Sequence, residues 1–219
     1  MSRAPWYQWL RIGFAALTFA AVIRQLQFSL DLETFKVSNF LSFFTIQSNL
    51  IAAVVLLVGA VMVLRGSGTS STWEYVRGAA VAYMSTTGIV FAALLAGLPD
   101  DLDLTLPWVN FVLHQLMPIV LVADWLLSPP RRSLEFRRAL PWMIYPIAYL
   151  AYSLIRGPIV GWYPYPFLDP DEVGGYLGVA AYSIGIAVLF IGLIWLVVAL
   201  GNRANAWWGS GQRAPELAR

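Results

Sequence analysis

Two side chains that could together perform hydrolysis lie inside long apolar stretches of this sequence. Thr45 lies in the run 40–64, and His114, the only histidine, lies in the run 108–127. An imidazole titrates near neutral pH and can take the proton of a threonine hydroxyl, which then attacks an ester carbonyl. Each residue also has a structural interpretation, because membrane threonines often bond the carbonyl one turn earlier and a neutral histidine can bridge two helices. The sequence leaves both interpretations open.

Three further polar residues could support this chemistry. Asn49 lies one turn after Thr45, Asn110 lies one turn before His114, and Tyr182 lies near the start of the last apolar run. Each could donate a hydrogen bond to an oxyanion, and Asn110 could also orient the imidazole. Asn49 could instead hydrogen-bond a neighbouring helix. The sequence does not choose among the three as the oxyanion donor.

The sequence suggests specific roles for three charged residues inside the apolar runs. Asp124 follows His114 by ten residues, about 15 Å along a helix, which is too far to complete a catalytic triad. We expect it to form an ion pair near the membrane interface, beside the arginines that follow. Arg24 and Arg156 could extend outward to the interface, or they could together bind the carboxylate of a fatty-acid-like ligand.

The composition is that of an integral membrane protein. The chain has 219 residues, 59% hydrophobic and 12% charged, with a mean hydropathy of +0.67, and an ordinary soluble domain has about twice that charged share. Six runs have about the 20 residues that a helix needs to cross the hydrocarbon layer. They are 6–30, 40–64, 76–98, 108–127, 140–160 and 174–200. We predict an all-α bundle of six transmembrane helices that forms a single domain over residues 1–219.

Several functional classes are excluded or not expected. The absence of cysteine excludes disulfides and thiolate catalysis. The only lysine, Lys36, lies outside the runs, so a retinal Schiff base is excluded, and a single histidine excludes a haem held by two histidines. The arginines form no dense basic segment, so nucleic acid is not an expected partner. No metal site and no cofactor are expected.

The loop charges predict the orientation of the bundle. Arginines cluster in alternate connections, which include 131–138 and both ends of the chain, whereas acidic residues fill the others, near 31–33, 100–103 and 169–172. Cytoplasmic loops are the ones that collect basic residues. We therefore predict that both termini are cytoplasmic and that the protein resides in the cell membrane. In this arrangement Thr45 lies about 9 Å and His114 about 10 Å below the outer surface.

The loop 161–170 reads Gly-Trp-Tyr-Pro-Tyr-Pro-Phe-Leu-Asp-Pro. Its prolines make it stiff and its aromatic rings suit the membrane interface. It is either an interfacial cap or a lid over a pocket between Thr45 and His114.

Five motifs resemble those of a family of bacterial six-span membrane proteins of unassigned function. This family is related to the animal androgen-induced and androgen-dependent TFPI-regulating proteins. The motifs are Phe-Phe-Thr-Ile-Gln-Ser-Asn at 43–49, His-Gln-Leu-Met-Pro at 114–118, Ala-Asp-Trp at 123–125, Arg-Gly at 156–157 and Gly-Trp-Tyr-Pro-Tyr-Pro-Phe at 161–167. In the animal branch, a threonine in the second span and a histidine in the fourth are required to hydrolyse fatty acid esters of hydroxy fatty acids. The resemblance implies that Thr45 and His114 have these roles here.

The leading hypothesis is therefore an intramembrane hydrolase of lipid esters, whose partners are the bilayer and a lipid or fatty-acid ester substrate. A second hypothesis is a lipid- or fatty-acid-binding or transport protein in which Thr45, Asn49 and His114 line a polar cavity without chemistry. A third is a scaffold whose polar residues only join helices. The sequence makes no prediction of the exact substrate or the oligomeric state.

Overall fold

Six long helices, each apolar and long enough to cross a membrane, form the chain in a computed structural model. The structure describes residues 4–96 and 106–213, with side chains through residue 207. The helices are α1 (Pro5–Leu30), α2 (Phe44–Leu64), α3 (Ser71–Leu95), α4 (Pro107–Leu127), α5 (Phe136–Val160) and α6 (Tyr176–Arg213). No strand occurs among the described residues. The predicted all-α fold is confirmed, and the orientation in the membrane stays a prediction.

Small residues allow the helices to pack closely. α3 lies at the centre and packs against α2, α4 and α6, while α1 packs against α2. Alanines that are fully buried line these contacts, for example Ala15 and Ala21 of α1, Ala52 of α2 and Ala80 of α3. Short side chains let two helix backbones approach, which is how helices gain van der Waals contact where lipid gives no hydrophobic driving force.

The second span begins at Phe44 rather than at 40. Residues Val37–Phe40 form a separate short helix, and the Ser42 hydroxyl donates to the Ser38 carbonyl oxygen at 2.6 Å, which stabilises the turn between the two helices. Thr45 therefore lies in the first turn of α2 and not six residues inside a helix. Hydropathy alone does not reveal this break, because in the stretch 40–44 only Ser42 is polar.

Other helix ends also differ from the predicted spans. α3 begins at Ser71 because the Ser70 side chain accepts from the backbone N–H of Trp73 and caps the helix. α6 continues past 200 to Arg213, and Asn202 exchanges two hydrogen bonds with the Leu134 backbone. The end of the predicted third span, 97–98, and the acidic residues at 100–103 lie outside the described residues.

α5 is the least covered helix. Within its segment Ile144–Val160 only Ser153 and Gly157 are buried. Most of its side chains therefore face away from the rest of the bundle.

Candidate active site

Thr45 is held at the N-terminal end of α2. The first backbone N–H groups of a helix have no partner within the helix. The Thr45 N–H instead donates to the hydroxyl oxygen of Tyr165 at 3.2 Å. Thr45 is 7% exposed, so its hydroxyl faces the interior of the bundle.

His114 lies in a widened turn of α4. Residues Val112–Leu116 form a π-helical turn. Pro118 lies two residues after its end and has no N–H to donate to the preceding turn. Such turns leave backbone carbonyls without a helical donor and occur often at functional sites. The helix therefore opens beside His114.

The histidine tautomer follows from its hydrogen bond. His114 Nδ1 lies 3.2 Å from the carbonyl oxygen of Asn110. Because a carbonyl oxygen can only accept, Nδ1 carries the proton and Nε2 is left with a free electron pair. The backbone of Asn110, and not its amide side chain, thus orients the imidazole.

The hydroxyl of Thr45 meets this free nitrogen. Thr45 Oγ1 lies 3.2 Å from His114 Nε2 and 3.3 Å from the Tyr165 hydroxyl oxygen. One assignment satisfies every group: Thr45 donates to Nε2, and Tyr165 donates to Thr45 Oγ1 while accepting from the Thr45 N–H. We call Thr45, His114 and Tyr165 the Thr45 site.

α3 supports the imidazole from the other side. The ring of Phe91 stacks on that of His114 with centroids 4.1 Å apart, and Phe91 itself begins a second π-helical turn, Phe91–Leu95. At Gly88 a Cβ atom would lie 3.1 Å from the Pro118 ring, so a larger residue there would push α3 away from α4. These contacts restrict the imidazole to the orientation that faces Thr45.

Asn49 joins α2 to α4. Its Nδ2 donates to the carbonyl oxygens of Thr45 at 2.9 Å and Leu113 at 3.0 Å. The second bond supplies a donor to a carbonyl in the widened turn, in place of the N–H that Pro118 lacks. The interhelical hydrogen bond that the sequence offered as one interpretation of Asn49 is therefore present, and its N–H groups are occupied.

Sequence reasoning identified the loop 161–170 but not its essential side chain. Tyr165 is buried, and its ring stacks on Phe167 at 5.0 Å and meets the edge of Phe43 at 5.7 Å. Burial raises the pKa of the Tyr165 phenol, so the hydroxyl stays protonated at neutral pH and can donate. The available signal was the alternation of tyrosine and proline at 163–166, because a stiff loop can hold a ring in a fixed position.

A cavity of about 120 Å³ begins at Thr45 and runs between α3, α5 and α6. Its wall is mostly apolar. The lining residues are Phe44, Thr45, Thr86, Thr87, Val90, Phe91, Leu95, Met143, Pro146, Ile147, Tyr149, Leu150, Tyr165, Phe167, Leu168, Ser183, Ile186, Ala187 and Phe190. The loop at 165–168 covers one end of this cavity, as expected of a lid, and His114 is not among the lining residues.

Tyr182 lies away from Thr45. It is 42% exposed on α6 and its ring contacts Phe167, and it lines a separate surface groove between α3 and α6. Its position along α6 resembled the depth of Thr45, but its direction around the helix could not be read from the sequence.

The structure gives Arg24 and Arg156 different surroundings. Arg156 donates to Asn39 Oδ1 at 2.6 Å and lies over the Trp162 ring at 5.5 Å. Arg24 is exposed on α1 and forms no ion pair within the described part of the chain. Neither arginine lines the cavity beside Thr45.

Asp124 belongs to a second polar group near the opposite end of α4. It bonds Arg11 through two atom pairs, at 2.6 and 3.0 Å, and also Arg77 at 3.2 Å and the Tyr7 hydroxyl at 2.9 Å. Arg77 in turn bonds Glu74 at 2.8 Å. We call these five residues the charged cluster. Asp124 is an ion-pair partner as predicted, but its arginines come from the beginnings of α1 and α3 rather than from the loop after α4.

Within residues 4–96 and 106–213 no group of three His, Asp or Glu side chains is placed to hold a metal ion. No family model, curated protein or solved structure matches this chain. The assignment to a family therefore stays a prediction from the motifs.

Proposed function

We propose that this protein is an intramembrane hydrolase of lipid esters, with Thr45 as nucleophile and His114 as general base. The observation that carries the proposal is the 3.2 Å contact between Thr45 Oγ1 and His114 Nε2. It is within the range expected of a nucleophile and its base. The Asn110 carbonyl adds the third element, a group that orients the base.

The first half of the reaction acylates Thr45. His114 Nε2 takes the hydroxyl proton as Thr45 Oγ1 bonds to the ester carbonyl carbon. The tetrahedral intermediate then collapses, the bond from that carbon to the alcohol oxygen breaks, and the imidazolium gives its proton to the leaving oxygen. The acyl group stays on Thr45 and the alcohol departs.

The second half returns Thr45 to its free form. His114 takes a proton from water, whose oxygen attacks the acyl carbon. The bond to Thr45 Oγ1 then breaks, Thr45 recovers its proton from the imidazolium and the fatty acid leaves. The protein therefore needs only one basic and one nucleophilic side chain for both halves.

Tyr165 and the Thr45 backbone provide the oxyanion donors. The Tyr165 hydroxyl oxygen lies 3.2 Å from the Thr45 nitrogen and 3.3 Å from Thr45 Oγ1. This is the region that a substrate carbonyl oxygen occupies when the nucleophile attacks its carbon. The carbonyl oxygen replaces the hydroxyl there, accepts from the Thr45 N–H and receives a second hydrogen bond from Tyr165. The N-terminal end of α2 adds a favourable dipole for the developing negative charge.

Two observations favour a lipid ester as substrate. The cavity beside Thr45 is mostly apolar, and six helices of the described chain are long and apolar enough to cross a membrane. The motif resemblance narrows the expected class to fatty acid esters of hydroxy fatty acids. A transport protein would use the same cavity without a covalent intermediate.

The test is turnover of a long-chain ester by purified protein in lipid, with mass spectrometry of the intact chain. The wild type should hydrolyse the ester and carry an acyl adduct on Thr45. Thr45→Ala should lose both, and Thr45→Ser should retain part of the activity because it keeps the hydroxyl. Thr18→Ala is the matched control, since Thr18 is also buried but bonds the Phe14 carbonyl within α1.

Two results would contradict the proposal. Turnover that survives in Thr45→Ala would show that Thr45 is not the nucleophile, and His114 would then activate water directly. No turnover and no adduct, together with transfer of fatty acid between vesicles, would favour the transport function.

A further inference from the structure

The cavity beside Thr45 opens toward lipid between α5 and α6. Ile147 lines the cavity and is also 57% exposed, so it lies where the cavity meets the outer surface of the bundle. The opposite edge consists of Ile186 and Ala187 of α6, both partly exposed. Because α5 is hardly covered by other helices, a lipid chain can reach this edge from the bilayer.

The wall of the cavity has one hydroxyl that the protein does not satisfy. Thr86, Thr87 and Tyr149 donate to the carbonyl oxygens of Ala82, Tyr83 and Ser42 respectively. Ser183 Oγ is buried and has no hydrogen-bond partner in the described part of the chain. Apart from this atom and the Thr45 site, the hydroxyls of the wall bond the protein itself, so the cavity suits a chain of carbon atoms.

His114 determines which part of an ester enters the cavity. It must deliver a proton to the leaving alcohol oxygen, so the alcohol portion lies on its side of Thr45. Thr45 lines the cavity and His114 does not, so the cavity space is separate from the space beside the imidazole. The acyl portion is therefore the one that points into the cavity.

The dimensions limit the length of that portion. The lining residues extend over 143–150 of α5 and 183–190 of α6, or about 10 Å along each helix. An extended chain advances about 1.2 Å per bond, which gives about eight carbons. The volume of about 120 Å³ is smaller than the roughly 150 Å³ cavity that binds the six carbons of benzene, which gives about five carbons.

We propose that this cavity is the acyl-chain site of the ester, that it encloses about five to eight carbons, and that longer chains leave it between Ile147 and Ala187 into the bilayer. This inference rests on the proposed hydrolase function. It adds the position of the acyl chain, the length that the protein encloses and the route by which the rest remains in lipid.

The test is a series of esters with one alcohol and straight acyl chains from two to eighteen carbons. For the wild type, kcat/KM should rise up to about eight carbons and then stay level, because further carbons remain in lipid. Ala187→Phe fills the cavity and should lower kcat/KM at least tenfold for chains of six carbons or more while keeping acetyl esters. Ile147→Trp narrows the opening and should cause a tenfold loss only beyond about eight carbons.

The controls are substitutions of the same kind outside the cavity. Ala180→Phe and Ile155→Trp lie on exposed positions of α6 and α5, and both should keep the wild-type length profile. Thermal unfolding of each variant shows whether it is folded. Turnover with no dependence on chain length in wild type, Ala187→Phe and Ile147→Trp would overturn the inference while the hydrolase function stands.

Photolabelling separates the two proposals if no ester is hydrolysed. A free fatty acid of eight carbons with a terminal diazirine should label wild-type peptides that contain Met143 or Phe190 and should fail to label them in Ala187→Phe. That pattern would support the chain site even without catalysis. Labelling spread evenly over the lipid-facing surfaces of α5 and α6 would overturn it.

Discussion

The two ends of α4 contact two polar groups that differ in charge and in access. The charged cluster joins two arginines to two carboxylates, and Asp124 at its centre accepts hydrogen bonds from three side chains on two other helices. The Thr45 site, about 15 Å away along α4, has no formal charge in the tautomer that the structure indicates. None of the five residues of the charged cluster lines the cavity, whereas Thr45 and Tyr165 both do.

This difference supports a structural role for the charged cluster and the proposed reactive role for the Thr45 site. In the charged cluster both oxygens of Asp124 are occupied and each arginine has a carboxylate partner, so the charges neutralise one another within the protein. In the Thr45 site the hydroxyl of Thr45 lies beside a free imidazole nitrogen and beside a space large enough for a ligand. A buried network in which every polar group has a hydrogen-bond partner is rigid. A polar group beside a cavity has space for a substrate.

The largest expected effect on chemistry is that of His114→Ala. Loss of the general base should lower kcat by about 10²–10⁴-fold, and by a similar factor to Thr45→Ala because the two residues act as one unit. The melting temperature should change little, since His114 is only partly buried and its side-chain bonds are few. Ester turnover and intrinsic tryptophan fluorescence on heating provide the two measurements. A variant that unfolds at room temperature would assign His114 to the structural group instead.

Asp124→Asn should show the reverse pattern. Removing one partner of a buried ion pair costs about 3–5 kcal/mol because the remaining charges are left without compensation. The melting temperature should therefore fall by roughly 10 °C, while kcat of the folded fraction should stay near that of the wild type. The conservative comparison is Glu135→Gln, since Glu135 forms an exposed ion pair with Arg138. A large loss of kcat with an unchanged melting temperature would remove the distinction between the two polar groups.

The sequence predicted the fold well because the length and hydropathy of each apolar run indicate a transmembrane helix without reference to the rest of the chain. Six runs of suitable length predicted six helices, and the polar residues inside them were few enough to be read one at a time. The meeting of Thr45 and His114 was also expected, but for an incomplete reason. The depth argument assumed a helix from 40, whereas Thr45 is in the first turn of a helix that begins at Phe44.

The sequence could not show which way a side chain points around its helix or where a loop runs. Tyr182 has a suitable position along α6, but it faces the surface. Tyr165 is 120 residues from Thr45, and no periodic pattern predicts where a proline-rich loop places one ring. The role of the Asn110 carbonyl was equally hidden, because every residue has one and only the π-helical turn exposes it.

Tyr165→Phe tests the part of the Thr45 site that the sequence missed. The variant keeps the ring contacts with Phe43 and Phe167 and removes only the hydroxyl. If that hydroxyl stabilises the oxyanion, kcat should fall by about 10²-fold with a small change in KM. Adding Thr45→Ser to the Tyr165→Phe variant should not restore kcat. Tyr83→Phe is the control, since its hydroxyl bonds the Trp142 carbonyl and Tyr83 does not line the cavity. Equal small effects in both variants would leave Tyr165 with a packing role alone.

The smallest effects are expected from the two arginines that the sequence proposed as carboxylate ligands. Arg24→Gln should leave turnover and the binding of fatty acid within twofold of the wild type, because the side chain is exposed on α1 and does not line the cavity. Arg156→Gln should lower the melting temperature slightly, since it weakens the contacts with Asn39 and Trp162, without affecting ligand choice. The decisive comparison is binding of a free fatty acid and of its methyl ester, measured by displacement of a fluorescent fatty acid. If either variant weakens binding of the acid much more than that of the methyl ester, a guanidinium does bind the carboxylate, and the acidic product would then have a second site outside the cavity.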